Sequence, residues 1–187
     1  MPVELRSCPI LALSPEDLQK FQKTSPEEVA EFLASLNYGP SKRLVDSFYL
    51  SPDGDIGVGA LLVRPDMCAD HFGILRGVDS VEAIAQTAIL HRHARGELTY
   101  IKPLFGGIRS MRFLNIATEG ATLNMVVQNS EANEVGFASY GWVLRSRTVL
   151  VEGEIFGAVT DARKNLQGSL IRRARMLQER EQPLFQI

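Results

Sequence analysis

His71 and Glu82 stand eleven residues apart in DHFGILRGVDSVEAIAQTAIL, the run from 70 to 90, with a glycine-led turn between them and an apolar helical pattern behind. Histidine titrates near neutrality and can serve as a general base, and a carboxylic acid set among Val, Ala, Ile and Leu can be raised enough to hold a proton. Together they could take a proton from one carbon and deliver one to a leaving group on the next. Gln86, one turn after Glu82 on the same face, could orient the carboxyl or a water. Free backbone N–H groups around Gly77 and Val78 could hold an oxygen as it gains negative charge, and the glycine would let a substrate come close.

Each of these residues also has a plainer reading. Asp79-Ser80-Val81-Glu82 has the spacing of a capping box, in which Glu82 reaches back to the backbone at the helix start. His71 could be a loop histidine bonded to backbone. His91 and His93 read as favourable charge at a helix C-terminus, not as metal ligands, because no acidic or cysteine partner lies close in sequence. Cys68 reads as a buried small residue before it reads as a nucleophile.

The elements that must position the pair are written on either side of it. Ser14-Pro15-Glu16-Asp17 and Ser25-Pro26-Glu27-Glu28 each predict a short helix, with serine at the N-cap and proline at the first helical position. The second carries an apolar stripe of Val29, Phe32, Leu33 and Leu36 and stops near Asn37-Tyr38-Gly39-Pro40. RLVDSFYL, a turn at 51–55 and IGVGALLV predict two strands. The run from Ser80 to Arg95 has small or apolar residues almost all round, the signature of a helix buried mid-domain. Four further strand-length runs follow (IRSMRFLNIA, ATLNMVVQNS, VGFASYGWVLR and TVLVEGEIFGAV), joined by short connections that imply an antiparallel sheet. From Thr160 the pattern is again helical, with Leu166, Leu170, Ala174 and Leu177 on one side and Lys164, Arg172, Arg173 and Arg175 making it basic.

The predicted fold is α+β, an antiparallel sheet wrapped around a central helix with N- and C-terminal helical extensions. The expected division is 1–38 as the N-terminal helical extension, 39–159 as the core and 160–187 as a basic helix, all in one domain of 187 residues. Twenty basic against 22 acidic residues, a formal net charge of −2, argue against a protein that coats nucleic acid or an anionic membrane. Two cysteines, Cys8 and Cys68, without a CxxC pair suggest neither a disulfide framework nor a zinc site. With no signal-peptide pattern and no long apolar run, a cytoplasmic protein is expected.

This order of elements, with the residues on it, resembles the hotdog-fold 3-hydroxyacyl-[acyl-carrier-protein] dehydratases. Glu28 to Asp46 (EVAEFLASLNYGPSKRLVD) looks like the family's opening helix, turn and leucine-valine-aspartate strand. Asp70-His71-Phe72 looks like the start of its histidine motif, and Gly77-Val78 followed by Glu82-Ala83-Ile84-Ala85-Gln86 like its central helix. Ser110-Met111-Arg112-Phe113 and Glu119-Gly120-Ala121-Thr122-Leu123 look like the strand and turn that follow. The loop HFGILRG is two residues shorter than the family's and lacks both of its prolines. An ungapped alignment from Glu82 sets Cys68 opposite the family's histidine; a two-residue gap sets His71 there, between a matching Asp70 and Phe72.

The resemblance implies dehydration of 3-hydroxyacyl thioesters to trans-2-enoyl thioesters, with His71 as base and Glu82 as acid and with Gly77, Val78, Gln86 and Phe72 binding substrate. It implies no metal or redox cofactor, a substrate carried on the phosphopantetheine of acyl carrier protein or coenzyme A, and a homodimer or larger assembly of dimers, since the family's sites take histidine and carboxylate from two subunits. A thioesterase on the same fold and a non-catalytic acyl-binding subunit are the alternatives. The basic tail could pack on the sheet or a neighbour, or receive an acidic carrier protein.

Overall fold

The computed structural model describes residues 6–97, 101–132 and 136–161. Both serine-proline starts become helices. α1 (Pro15–Leu18) is a single turn and α2 (Pro26–Ser35) a longer helix, each closed by a reciprocal capping box, Ser14 with Asp17 and Ser25 with Glu28. A further turn of helix, α3 (Pro65–Cys68), precedes the histidine loop and was not expected from the sequence.

Among the described residues seven strands form one sheet: β1 (Gln22–Thr24), β2 (Ser47–Leu50), β3 (Ile56–Leu62), β4 (Ile101–Phe113), β5 (Thr122–Ala132), β6 (Gly136–Arg145) and β7 (Thr148–Asp161). Their order across the sheet is β1-β2-β3-β5-β6-β7-β4, every neighbouring pair antiparallel. Six of them follow the predicted runs. The seventh, β1, has only Gln22, Lys23 and Thr24 and no apolar alternation; it exists by pairing with Phe48 to Leu50 of β2. The N-terminal extension thus adds an edge strand to the sheet. At the other end β7 runs on to Asp161, and the basic tail helix expected from 160 onward otherwise lies outside the described residues.

α4 (Gly77–Ala94) lies against the sheet, and every residue from Ser80 to Arg92 is buried except Glu82, which is half-buried. That accounts for a helix with no polar stripe: β2, β3, β5 and β6 meet it on one side, and Val29 and Leu33 of α2 join the same core as Ile84, Ala88 and Leu90. Close approach depends on glycines in the sheet. A Cβ at Gly141 would overlap Cγ2 of Ile84, and one at Gly59 would press on the Thr87 hydroxyl.

The sheet's other face has its own apolar cluster, Val58, Val126, Tyr140, Trp142 and Leu144, covered by Cys8, Ile10 and Leu11. The indole of Trp142 donates to the Arg6 carbonyl (3.3 Å) and Arg147 donates to the Leu11 carbonyl (2.6 Å), which pins the N-terminal segment across that face. Both cysteines are buried thiols.

The reading of His91 and His93 as charges on the helix C-terminus is corrected. His91 is 0% exposed, its Nε2 lies 2.8 Å from the Gly54 carbonyl, and among the described residues its Nδ1 has no partner. Burial lowers its pKa, so the neutral ring donates through Nε2. His93 stacks on Phe32 at 3.8 Å between centroids, and its pKa is also lowered by burial. Arg95, which donates to the Gly54 carbonyl at 2.9 Å, carries the positive charge there.

Candidate active site

The chain leaves α3 at Cys68 through a tight turn in which the amides of His71 and Gly73 both donate to the Cys68 carbonyl, at 3.0 and 3.4 Å. Phe72 (φ 54°) and Gly73 (φ 75°) occupy the left-handed region, a costly conformation for phenylalanine. The loop is then tied to residues 117–119 ahead of β5: Leu75 donates to the Ala117 carbonyl (2.9 Å), Glu119 to that of Gly73 (3.0 Å), and Ile74 bridges Thr118. This short loop is therefore anchored on both sides, with His71 exposed at its tip. Cys68 is buried beneath, its thiol pKa raised by burial first and then by the charges of Glu119, Asp79 and Asp66. A protonated, covered thiol fits the packing role expected of it.

The helix start differs from the capping-box expectation. The N-cap is Arg76, three residues before Asp79, so Glu82 lies well inside the helix and bonds to no N-cap backbone. Asp79 is at N3 instead, held by the Arg76 guanidinium through Nε (2.6 Å) and Nη2 (2.7 Å). Among the described residues neither the Gly77 nor the Val78 amide has an acceptor, as the first turn of a helix leaves them. The space beside Gly77 is filled by Phe113, whose ring a Cβ would meet at 2.8 Å, so the glycine admits this ring.

Glu82 is set by two other segments. Gln86 is fully buried; its Nε2 donates to Glu82 Oε1 (3.0 Å) and to the Lys42 carbonyl (2.8 Å), while its Oε1 accepts from the Leu44 amide (2.8 Å). On another side stands the Tyr38 phenol. Its pKa is driven up by burial, then by the negative charge of Glu82 and by hydrogen bonding to it. Tyr38, Lys42, Asp70, His71, Arg76, Val78, Asp79 and Glu82 line a single groove of about 640 Å³, so His71 and Glu82 of one chain share one opening. Tyr38 and Lys42 were not anticipated as site residues; in the sequence they belong to a turn.

A second groove of about 670 Å³ lies beyond the helix start, lined by His71, Phe72, Gly77, Val78, Phe113 and Ile116 among others. It is predominantly apolar and open; Phe72 is 100% exposed and Val78 65%. His71, Arg76 and Val78 border both grooves. Phe137 is buried under the Arg92 guanidinium (4.8 Å above the ring) while Phe105 is exposed on the outer strand. Among the described residues no group of three or more His, Cys, Asp or Glu side chains converges as a metal site, and no helix is long and apolar enough to cross a membrane.

No protein-family model matches the chain, and no curated protein matches it in sequence. Solved structures do. The chain is similar to the dehydratase heterocomplex ApeI:P from Xenorhabdus doucetiae at 19% identity and a TM-score of 0.57, over 71% of this chain and 95% of that one. It is similar to a variant of the thioesterase PA1618 from Pseudomonas aeruginosa at 14% identity and a TM-score of 0.57, over 74% and 96%. It is also similar to the fluoroacetyl-CoA thioesterase FlK at 10% identity and a TM-score of 0.54, over 70% and 96%. With a seven-stranded antiparallel sheet laid against one buried helix, and with these structures as its neighbours, the chain has the hotdog fold.

Proposed function

We propose that this protein acts on acyl thioesters and that its reaction is dehydration of a 3-hydroxyacyl thioester to the trans-2-enoyl thioester. The observation that carries the reading is that His71 and Glu82 open on one groove at the start of α4. His71 takes the proton from the carbon beside the carbonyl, and Glu82 delivers a proton to the hydroxyl on the next carbon, which leaves as water. The thioester oxygen gains charge as the first proton departs and is held by the unpaired amides of Gly77 and Val78. Phe72 and Val78 supply apolar surface for the acyl chain, whose thioester sits on the phosphopantetheine of a carrier protein or coenzyme A.

A second reading, hydrolysis, has its own support: Gln86 donates to Glu82 and fixes one of its oxygens, a setting in which a carboxylate can receive a proton from an attacking water. The likeness to thioesterases is compatible with it. For the assembly we infer pairing of two copies along β4, an edge strand of thirteen residues with Phe105, Ile108 and Phe113 exposed on it.

The test is turnover of a 3-hydroxyacyl thioester by wild type, His71→Ala and Glu82→Gln, following enoyl product and free thiol separately. Dehydration predicts enoyl product and a loss of about 10²–10⁴-fold in each variant with the fold intact. Thiol release without enoyl product selects hydrolysis. No product, or full activity in both variants, removes the acid–base assignment.

A further inference from the structure

We propose that Phe113 sets substrate specificity: its ring walls the space beside the Gly77 amide and restricts the site to acyl thioesters that are unbranched at the carbon next to the carbonyl. The proposal rests on the reading of the Gly77 and Val78 amides as the seat of the thioester oxygen, and adds to it the class of acyl group admitted there.

The strand fixes where the ring goes. Side chains alternate along a strand, so Met111 and Phe113 of β4 share a face, and Met111 packs on the main core to which α4 belongs. Phe113 is paired with Val151 of β7, itself a residue of that core. Just after it the Leu114 and Asn115 amides both donate to the Leu150 carbonyl, at 2.8 and 3.1 Å. The last side chain of β4 is thereby carried onto the start of α4. There its ring carbons are the three nearest atoms to the position a Cβ would take on Gly77, at 2.8, 3.3 and 3.4 Å. In a helix the Cβ direction tilts toward the N-terminus, the end to which the free N–H groups also point. A Cβ lies about 2.5 Å from its own nitrogen, so the nearest ring carbon is within about 5.3 Å of the Gly77 nitrogen. The ring therefore stands at the same end of the helix as an oxygen accepted by that amide.

Packing on a glycine accounts for one edge of the ring only. Phe113 is 56% exposed, and it lines the second groove, whose border His71 and Val78 share with the first. An acyl group with its oxygen on the two amides and one α-hydrogen toward His71 turns its other α-position toward this ring. A hydrogen fits there. A methyl group meets aromatic carbon whose backbone is held by the pairing with β7, and an apolar wall of this kind rejects one extra carbon by about 10–200-fold.

The experiment measures kcat/KM for the coenzyme A thioesters of a straight-chain 3-hydroxy acid and of its 2-methyl counterpart in wild type, Phe113→Leu and Phe113→Ala, with thermal unfolding as the control. Wild type should favour the straight chain by about 10–200-fold, and Phe113→Ala should shrink that ratio by at least about tenfold, mainly through a gain on the branched substrate. A wild-type ratio near one overturns the proposal, as does a ratio unchanged in a folded Phe113→Ala protein. If Phe113→Ala does not fold, the ratio in Phe113→Leu decides in the same way, with a smaller shrinkage expected. Two readouts need no turnover. Gly77→Ala should lower Tm more in wild type, where its methyl meets the ring, than in Phe113→Ala, and equal effects in the two backgrounds refute the contact. Calorimetric binding of ketone analogues of the two thioesters, which can be neither dehydrated nor hydrolysed, should favour the straight chain in wild type and lose that preference in Phe113→Ala. Absence of product from both thioesters removes the dehydration reading; a binding preference that Phe113→Ala leaves intact then overturns the wall as well, and its loss sustains it.

Discussion

Replacing Gln86 with leucine tests the joint on which both the fold and the site depend. The amide has one possible orientation, because Leu44 N–H can only donate and the Lys42 carbonyl can only accept. Leucine is of similar volume, so Gln86→Leu opens no cavity and the cost is polar. The buried Leu44 amide loses its acceptor, worth about 1–3 kcal/mol. The Lys42 carbonyl is nearer the surface and recovers a water, and Glu82, half-buried, regains part of its lost bond the same way. Against this stands the gain from an apolar side chain in an apolar site, which leaves a net loss of about 1–2 kcal/mol. For a chain of this size that is a fall of roughly 2–8 °C in Tm, read by calorimetry or by urea unfolding with an unchanged m-value. Gln86→Glu separates the donor from the acceptor. It keeps an oxygen for Leu44 but sets a second carboxylate against Glu82, which raises the new group's pKa in the folded state above its unfolded value. Its destabilisation is therefore full at neutral pH and relieved as pH falls through that raised pKa, when the protonated acid again donates. A Gln86→Leu protein within about 0.5 kcal/mol of wild type would refute the reasoning, since it would mean that Leu44 finds an acceptor elsewhere.

Two further outcomes follow from the core beneath α4. His91 has a folded pKa below its unfolded value, so the unfolded chain binds the extra proton as pH drops below about 6.5 and stability declines by up to about 1.4 kcal/mol per pH unit until the folded pKa is reached. Chemical denaturation at pH 7.5, 6.5 and 5.5 should show this slope flattened in His91→Gln, and equal slopes in the two proteins would place His91 outside the effect. Gly141→Ala drives a methyl into Cγ2 of Ile84 and should cost about 1–3 kcal/mol. Ile84→Leu, which lacks the β-branch methyl, should recover part of that loss in a double-mutant cycle, and strict additivity would locate the strain elsewhere.

The sheet and the central helix were readable because their signals are local: alternation or β-branched runs bounded by turns, and a helix apolar all round because it is covered all round. The misreadings share one physical cause, which is that identical local patterns are decided by distant partners. Asp79 and Glu82 have capping-box spacing, yet the helix begins at Gly77 because Leu75 is tied to Ala117 and Arg76 claims Asp79. A histidine near a helix end can be a surface charge or a buried neutral ring, and Gly57 of β3, packed under His91, makes it the second. Tyr38 reads as part of a helix stop and becomes a neighbour of Glu82 only through the turn that ends α2. The candidate acid at the centre of the site shows the division best. Its place on α4, one turn from Gln86, follows from four residues of spacing, whereas the partners that fix Gln86 lie 42 and 44 residues away on another segment. Spacing therefore decides which groups can meet Glu82 along the helix, and the tertiary fold decides which donors hold it and toward which opening it faces.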